Sequence, residues 1–432
     1  MNTLITNIKQ LVNVREQLTL LRAKALAELP IIENAFLLIN DGRIENYGKM
    51  EELGITNIEQ GILNDERITI NELNDKLQTK NVIDAAGATI LPTYCDSHTH
   101  LVFAASRENE FVDKLKGLTY SEIAAKGGGI LNSANKLQQT SEEILYELAA
   151  ERLRKLIKLG TGAIEIKSGY GLTVEAELKM LRVIKRLKET FPIPIKSTFL
   201  GAHAFPIEYR ENKQGYIDLI INEMLPAIEQ EQLADYIDAF CEEGFFTVEQ
   251  TEEVCLAGMG KGLKVKIHAN QLHVSGGVEL GVKLNAISVD HLEAMDINSI
   301  QSLANSNTIG TLLPTAAFFL RMQFQPARQL IDAGCAIALA SDFNPGSSPS
   351  GNMNFVNAIS CIQMKMLPEE VINASTLNGA YAMEVEQDLG SITKGKLANL
   401  IFTKPIPSLS YMHYSFGENL IDKVMINGKF YE

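Results

Sequence analysis

Eight short apolar runs recur through the middle of the chain, each followed by a stretch of helical periodicity. They are ATILPTYCDSHTH, GAIEIKSGYG, IPIKSTFLGAHAF, YIDAFCEEGFF, KVKIHANQLH, NAISVDHLE, NTIGTLLPTAAFF and CAIALASDFNPG. Between them lie amphipathic segments such as TSEEILYELAAERLRKLIKLG and EAELKMLRVIKRLKETF, with apolar residues at three- and four-residue spacing. Strand and helix in alternation imply a parallel sheet, because a parallel crossover needs a helix to carry the chain back. Eight such units predict an α/β fold, a (β/α)8 TIM-like barrel over residues 90–389. A doubly wound sheet satisfies the same alternation, but eight in-line units favour closure.

The two ends of the chain have a different texture. AFLLINDGRIENYG reads as a hairpin turning at Asp41-Gly42, and NVIDAAGATI as strand-turn-strand. GSITKGKLANLIFT and DKVMINGKFYE return to this style, with a turn at Asn427-Gly428. Residues 1–89 and 390–432 are therefore expected to build one small β-sandwich domain together.

The formal charge is −14, and no Lys/Arg cluster stands outside the amphipathic helices. That argues against a nucleic-acid groove, and an anionic small-molecule substrate would need a deliberate local cation. The five cysteines are an odd number without CxxC spacing, which fits a reducing compartment rather than a disulfide framework. The N-terminus lacks a charged-then-apolar leader, and no run reaches the length of a membrane span. A cytoplasmic protein is expected.

Reactive residues gather at the C-terminal ends of the runs: His98, His100, Tyr170, His203, Glu243, His268, His291 and Asp342. Five of the seven histidines fall there, and only His273 and His413 do not. In barrels of this kind that rim carries the active site. His98 and His100 are two apart and would point the same way from a strand. With His268 and Asp342 they form a candidate metal set of three imidazoles and one carboxylate, suited to Zn²⁺ and acceptable to Fe²⁺. Such a site leaves room for a water whose pKa the ion lowers toward neutrality.

Each remaining residue has a functional and a plainer reading. Asp342 is either a ligand that also accepts the water's proton or a helix cap. Asn344, Gly346 and Ser347 form either a small-residue loop that lets a ligand approach or an ordinary turn. His291 orients water or polarises a carbonyl, or is a satisfied buried histidine. His203 faces substrate on a similar argument. Gln271 offers an amide to a polar ring, or is a surface glutamine. Arg107, the first basic residue after the histidine pair, is either a two-point carboxylate clamp or a solvated charge. Tyr170, between glycines, presents its phenol to a ligand or packs in the core; Tyr120 is a weaker substrate candidate. GGGI at 127–130 lacks the context of a phosphate loop and reads as a mobile loop over the barrel mouth. The cysteines, Cys95 included, read as inert core.

DSHTHLVFAASRENEF, IEIKSGYGL, TFLGAHAFP, HANQL, DHLE, LLPTAAFFL and ASDFNPGSSP together resemble the amidohydrolase superfamily, from about residue 90 to the end. HxH alone marks only the superfamily; IKSGYGL and ASDFNPGSSP are more specific. The resemblance implies hydrolysis of the ring C–N bond of 4-imidazolone-5-propanoate to N-formimino-L-glutamate in histidine degradation, by a metal-activated water. It implies that His98, His100, His268 and Asp342 bind one Zn²⁺ or Fe³⁺ per subunit. It implies that Arg107, Tyr170, His203, Gln271 and Ser347 contact substrate, that Asn344 and Gly346 contact the product chain, and that His291 assists water activation. A homodimer is implied too. Some relatives carry Glu where this chain has Gln271, which shifts the general-base role to Asp342 and His291. Lys196 lies well before its strand end, so a bridging lysine for a second metal is not expected. A ring aminohydrolase and a metal-free scaffold are the rival readings; the first should be indifferent to a side-chain carboxylate, the second should have lost its ligands.

Overall fold

The computed structural model describes residues 2–53, 58–59, 62–63, 81–118 and 128–432. Its strands are, in chain order, β1 (Thr3–Val12), β2 (Ile31–Asn40), β3 (Arg43–Lys49), β4 (Ile58–Glu59), β5 (Ile62–Leu63), β6 (Asn81–Asp84), β7 (Thr89–Pro92), β8 (Tyr94–Asp96), β9 (Thr161–Lys167), β10 (Ile195–Ala202), β11 (Tyr236–Cys241), β12 (Lys264–Ala269), β13 (Ser288–His291), β14 (Ile309–Leu312), β15 (Ile337–Leu339), β16 (Leu400–Thr403), β17 (Ile421–Ile426) and β18 (Lys429–Phe430).

Strands β8 to β15 form a parallel sheet in strict sequence order, one strand for each predicted run. The first run divides: β7 joins another sheet, and β8 opens the barrel after a break at Thr93. The barrel closes at its C-terminal rim. There Asp342 N donates to His98 O at 3.0 Å, and His100 N to Phe343 O at 2.9 Å. Helices cover the outside. Glu142–Lys158 is capped by Ser141 and Val174–Thr190 by Thr173, each side chain accepting from a first-turn amide. Outward-facing Ile164, Ile166, Ile237, Ile267, Val289 and Ile337 share one buried cluster with helical Leu153, Leu181, Val254, Val278 and Leu330. Burial of this kind supplies the main folding drive.

The second sheet takes strands from both ends of the chain, in the order β18-β17-β16-β7-β1-β2-β3, with β6 parallel to β1. It curls on itself: Ile44 of β3 and Met425 of β17, far apart in strand order, lie in one apolar cluster. The two predicted hairpin turns meet at this closure. Ala398 N donates to Gly42 O at 2.8 Å and Gly428 N to Ala398 O at 3.1 Å. Gly42 has φ +80°, and a Cβ there would lie 2.7 Å from Asn427 O, so only glycine fits. The composite terminal sandwich and TIM barrel are thus the architecture observed. Tyr120 and Gly127 lie outside the described residues.

Among the described residues no helix is long and apolar enough to cross a membrane. All five cysteines are free, and burial pushes the Cys95 thiol up to about 12.

Candidate metal centre

His98 and His100 lie just beyond β8, His203 just beyond β10, His268 in β12, His291 at the end of β13 and Asp342 beyond β15. The predicted rim cluster is therefore assembled. Asp342 Oδ1 is 3.5 Å from His98 Nε2 and 3.6 Å from His100 Nε2. His268 Nε2 is 3.4 Å from His100 Nε2. A tetrahedral ion with bonds of about 2.05 Å has ligand–ligand edges of about 3.4 Å. His98 Nε2 is buried and has no hydrogen-bond partner. A buried lone pair left in that state is costly, and an ion would satisfy it. The residues therefore fit a metal ion. His291 offers a further nitrogen, since it forms with His98 and His268 a group whose ligand atoms lie within 4.8 Å of one another.

The surroundings favour the neutral, metal-ready form of His98 and His100. Burial, with the cationic charge of Lys167 and the neighbouring imidazoles, lowers the His98 pKa well below its ordinary value. Burial and His203 do the same to His100. His98 Nδ1 is hydrogen-bonded to Asp290 Oδ2 at 2.7 Å, and His268 Nδ1 lies 3.0 Å from Asp238 Oδ2. The carboxylate on His98 Nδ1 fixes the proton there and leaves Nε2 as the donor atom. Burial raises the Asp342 carboxyl to about 6, against the pull of His291 and His268. Burial opposes charge on His291, but Glu293, 3.4 Å from its Nδ1, together with Asp342 and Asp290 outweighs this and raises its pKa. His291 and Asp342 have φ of 89° and 51°, left-handed backbone that non-glycine residues adopt at a cost of about 1–3 kcal/mol each.

A cavity of about 340 Å³ adjoins the cluster and is lined by Arg107, Lys114, Tyr170, Gln271, Gly346 and Ser347 among others. Tyr170, His203, Phe240, Gln271, Asn344 and Ser347 form walls both of this cavity and of the smaller one over the histidines. Arg107 Nε donates to Ser133 Oγ at 2.8 Å, while its Nη2 is buried without a partner among the described residues. A Cβ on Gly346 would meet the Arg107 guanidinium, so a side chain there would displace that group. Asn344 organises its loop: Nδ2 donates to Asp342 O and Ser347 Oγ at 2.7 Å each, and Oδ1 accepts from Gly346 N and Ser347 N at 2.8 Å each. His203 Nδ1 pairs with Gly169 O at 2.9 Å, and its ring stacks on His100. Burial lowers the His203 pKa to about 3.

Glu243 does not join the group. Its side chain is 69% exposed, and the buried neighbour Glu242 instead accepts from Leu272 N and pairs with His273 Nδ1. Lys196 stands at the start of β10, with its Nζ over the Tyr236 ring. A layer of buried charge beneath the histidines, Glu165, Lys167, Asp238, Lys266 and Asp290, was not anticipated. Its signal is present in the strands IEIK, IDAF, VKIH and SVDH, where charged residues alternate with apolar ones. Such alternation usually marks a solvated face, but a barrel turns that face inward.

The sequence profile described as the amidohydrolase family matches residues 89–431. An imidazolonepropionase of Flavobacterium johnsoniae is 55% identical, with 99% of this chain and 100% of that protein covered. One from Christiangramia forsetii is 52% identical over the same shares. Among solved structures, Escherichia coli guanine deaminase superposes with TM-score 0.70 at 13% identity, covering 100% of this chain and 98% of that one. A Zn-bound adenosine deaminase from Xanthomonas campestris gives TM-score 0.67 at 15% identity, covering 99% and 92%. These two likenesses concern the fold. With a barrel whose rim gathers a metal-ready histidine cluster, and with relatives this similar over their whole length, the chain belongs to the amidohydrolase family, among its imidazolonepropionases.

Proposed function

We propose that this chain hydrolyses the ring C–N bond of 4-imidazolone-5-propanoate to give N-formimino-L-glutamate. The observation that carries the reading is the unpartnered buried Nη2 of Arg107, lining a cavity whose walls continue to the metal-ligand cluster. An anionic side chain and a hydrolysable ring on one small molecule match those two ends. The relatives' name supports the substrate.

One ion per subunit, Zn²⁺ or Fe³⁺, would be held by His98, His100, His268 and Asp342. When bound, it supplies Lewis acidity that makes water nucleophilic near neutral pH and polarises the ring carbonyl. Arg107 grips the propanoate through two-point hydrogen bonds, with the Tyr170 phenol beside it, and so fixes the ring against the cluster. Asp342 takes the proton of the attacking water and returns it to the ring nitrogen as the C–N bond breaks. His291 orients the water from the end of β13. Gln271 and His203 line the ring, and Asn344, Gly346 and Ser347 line the chain that becomes the product.

The test follows the ultraviolet absorbance of freshly made imidazolone propanoate with the metal-loaded protein. Loss faster than the spontaneous rate, abolished in His268→Ala, is expected. No acceleration by a folded, metal-loaded sample would remove the substrate assignment.

A further inference from the structure

Five charged side chains, Glu165, Lys167, Asp238, Lys266 and Asp290, are fully buried inside the barrel. Buried ion layers cost desolvation and rarely stabilise more than apolar packing would, so their presence asks for another account. Lys167 Nζ is 2.5 Å from Glu165 Oε1, 2.9 Å from Asp238 Oδ2 and 3.6 Å from Asp290 Oδ2. The two aspartate oxygens are the same atoms that face His268 Nδ1 at 3.0 Å and His98 Nδ1 at 2.7 Å. Each oxygen therefore sits between the one ammonium and an imidazole.

We infer that Lys167 is a positioning residue that ties together the carboxylates orienting His98 and His268, and thereby holds two donor nitrogens in register for one metal ion. The inference rests on the reading of these histidines as ligands. Lys167 belongs to β9, Asp238 to β11 and Asp290 to β13, so a single cation couples three separate strands to the cluster above. Other contacts hold the aspartates from the far side. Asp290 Oδ1 accepts from Ser288 Oγ at 2.5 Å, and Asp238 Oδ1 from His268 N at 3.1 Å. Burial works against charge on Lys167, but the three carboxylates outweigh it and raise its pKa, which favours the ammonium form.

Lys266 provides the internal comparison. It is equally buried in the same layer, yet it bonds Glu165 and Ser97 O and touches neither histidine-orienting aspartate. A purely structural layer would make the two lysines equivalent.

The experiment loads wild type, Lys167→Met and Lys266→Met with Zn²⁺ and with Co²⁺, confirms folding by circular dichroism, and measures ion release to a chelator and the Co²⁺ ligand-field spectrum. Neither readout requires substrate. Expected is release faster by about tenfold or more in Lys167→Met, the range that outer-shell partners of metal-bound histidine command, with an altered Co²⁺ spectrum. Lys266→Met is expected to stay near wild type in both. Wild-type release and spectrum in Lys167→Met, or equal effects in both variants, would overturn the inference. A wild-type protein that takes up neither ion would overturn it together with the metal-centre reading beneath it, whereas failure of the substrate assignment alone would leave it standing. If Lys167→Met does not fold, the variant Lys167→Met/Glu165→Gln removes one cation and one anion together, and the same release and spectral criteria apply to it.

Discussion

The amide nitrogen of Asp342 donates to the carbonyl oxygen of His98 at 3.0 Å, across the seam between the first and last barrel strands. The backbone bond that closes the barrel thus joins two proposed metal ligands. An ion held by their side chains would clamp the same seam, so stripping it with a chelator should lower the thermal midpoint by several degrees and speed hydrogen exchange at the His100 and Asp342 amides. Adding Zn²⁺ back should restore both. Scanning calorimetry with exchange mass spectrometry checks this.

Arg107→Ala removes the cation proposed to hold the substrate carboxylate. It should cut kcat/KM by about two to three orders of magnitude, mostly through KM, since a charge-assisted two-point contact is lost. Arg107→Lys should recover only part, because an ammonium cannot reproduce the fork. Steady-state kinetics on both variants decides; unchanged constants in Arg107→Ala would place the anion elsewhere.

Glu177 organises the loop that carries Tyr170. Its carboxylate accepts from Gly169 N at 3.0 Å, Gly171 N at 2.6 Å and Leu172 N at 2.9 Å, deep in the protein. Glu177→Gln supplies one acceptor oxygen in place of two. It should cost about 1–3 kcal/mol by denaturant unfolding and lower kcat/KM with little change in metal content.

His413 is buried, with neither ring nitrogen hydrogen-bonded, and burial lowers its pKa from 6.5 to about 4. The unfolded chain binds a proton below 6.5 that the folded protein refuses until about 4. The penalty is absent above that upper value, grows as pH falls through the window, and reaches about 3 kcal/mol at its lower end. His413→Phe should therefore flatten acid destabilisation between pH 6.5 and 4 relative to wild type, measured by urea unfolding at several pH values.

Most of the scaffold is legible in the sequence because period-two and helical patterns report burial directly. Each of the eight runs holds a barrel strand, and Asp41-Gly42 and Asn427-Gly428 both turn hairpins. The histidines are legible because strand ends in a closed barrel converge on one rim. Glu165, Lys167 and Asp238 are not, since the same alternation fits a solvated strand until closure is known. Glu177 and Glu293 stay hidden for another reason: an acidic residue in a helix or loop is ordinarily solvated, and only the folded chain shows that Glu177 serves loop amides and Glu293 the His291 ring. The misplaced weight on Glu243 is a one-residue error of phase, because the burying direction past a strand end is set by the turn.

The glycine contact between the Asp41-Gly42 and Asn427-Gly428 turns has a bearing on synthesis. Strand β7 emerges early from the ribosome, but its neighbour β16 is translated only after the entire barrel. The first hairpin can pack on β1 and β7 early, but the remainder of its cluster, Ala398, Leu400 and Met425, arrives only with the last strands. The small sheet is therefore the late, high-contact-order step of folding, and the interval before it is when the nascent chain most needs a chaperone.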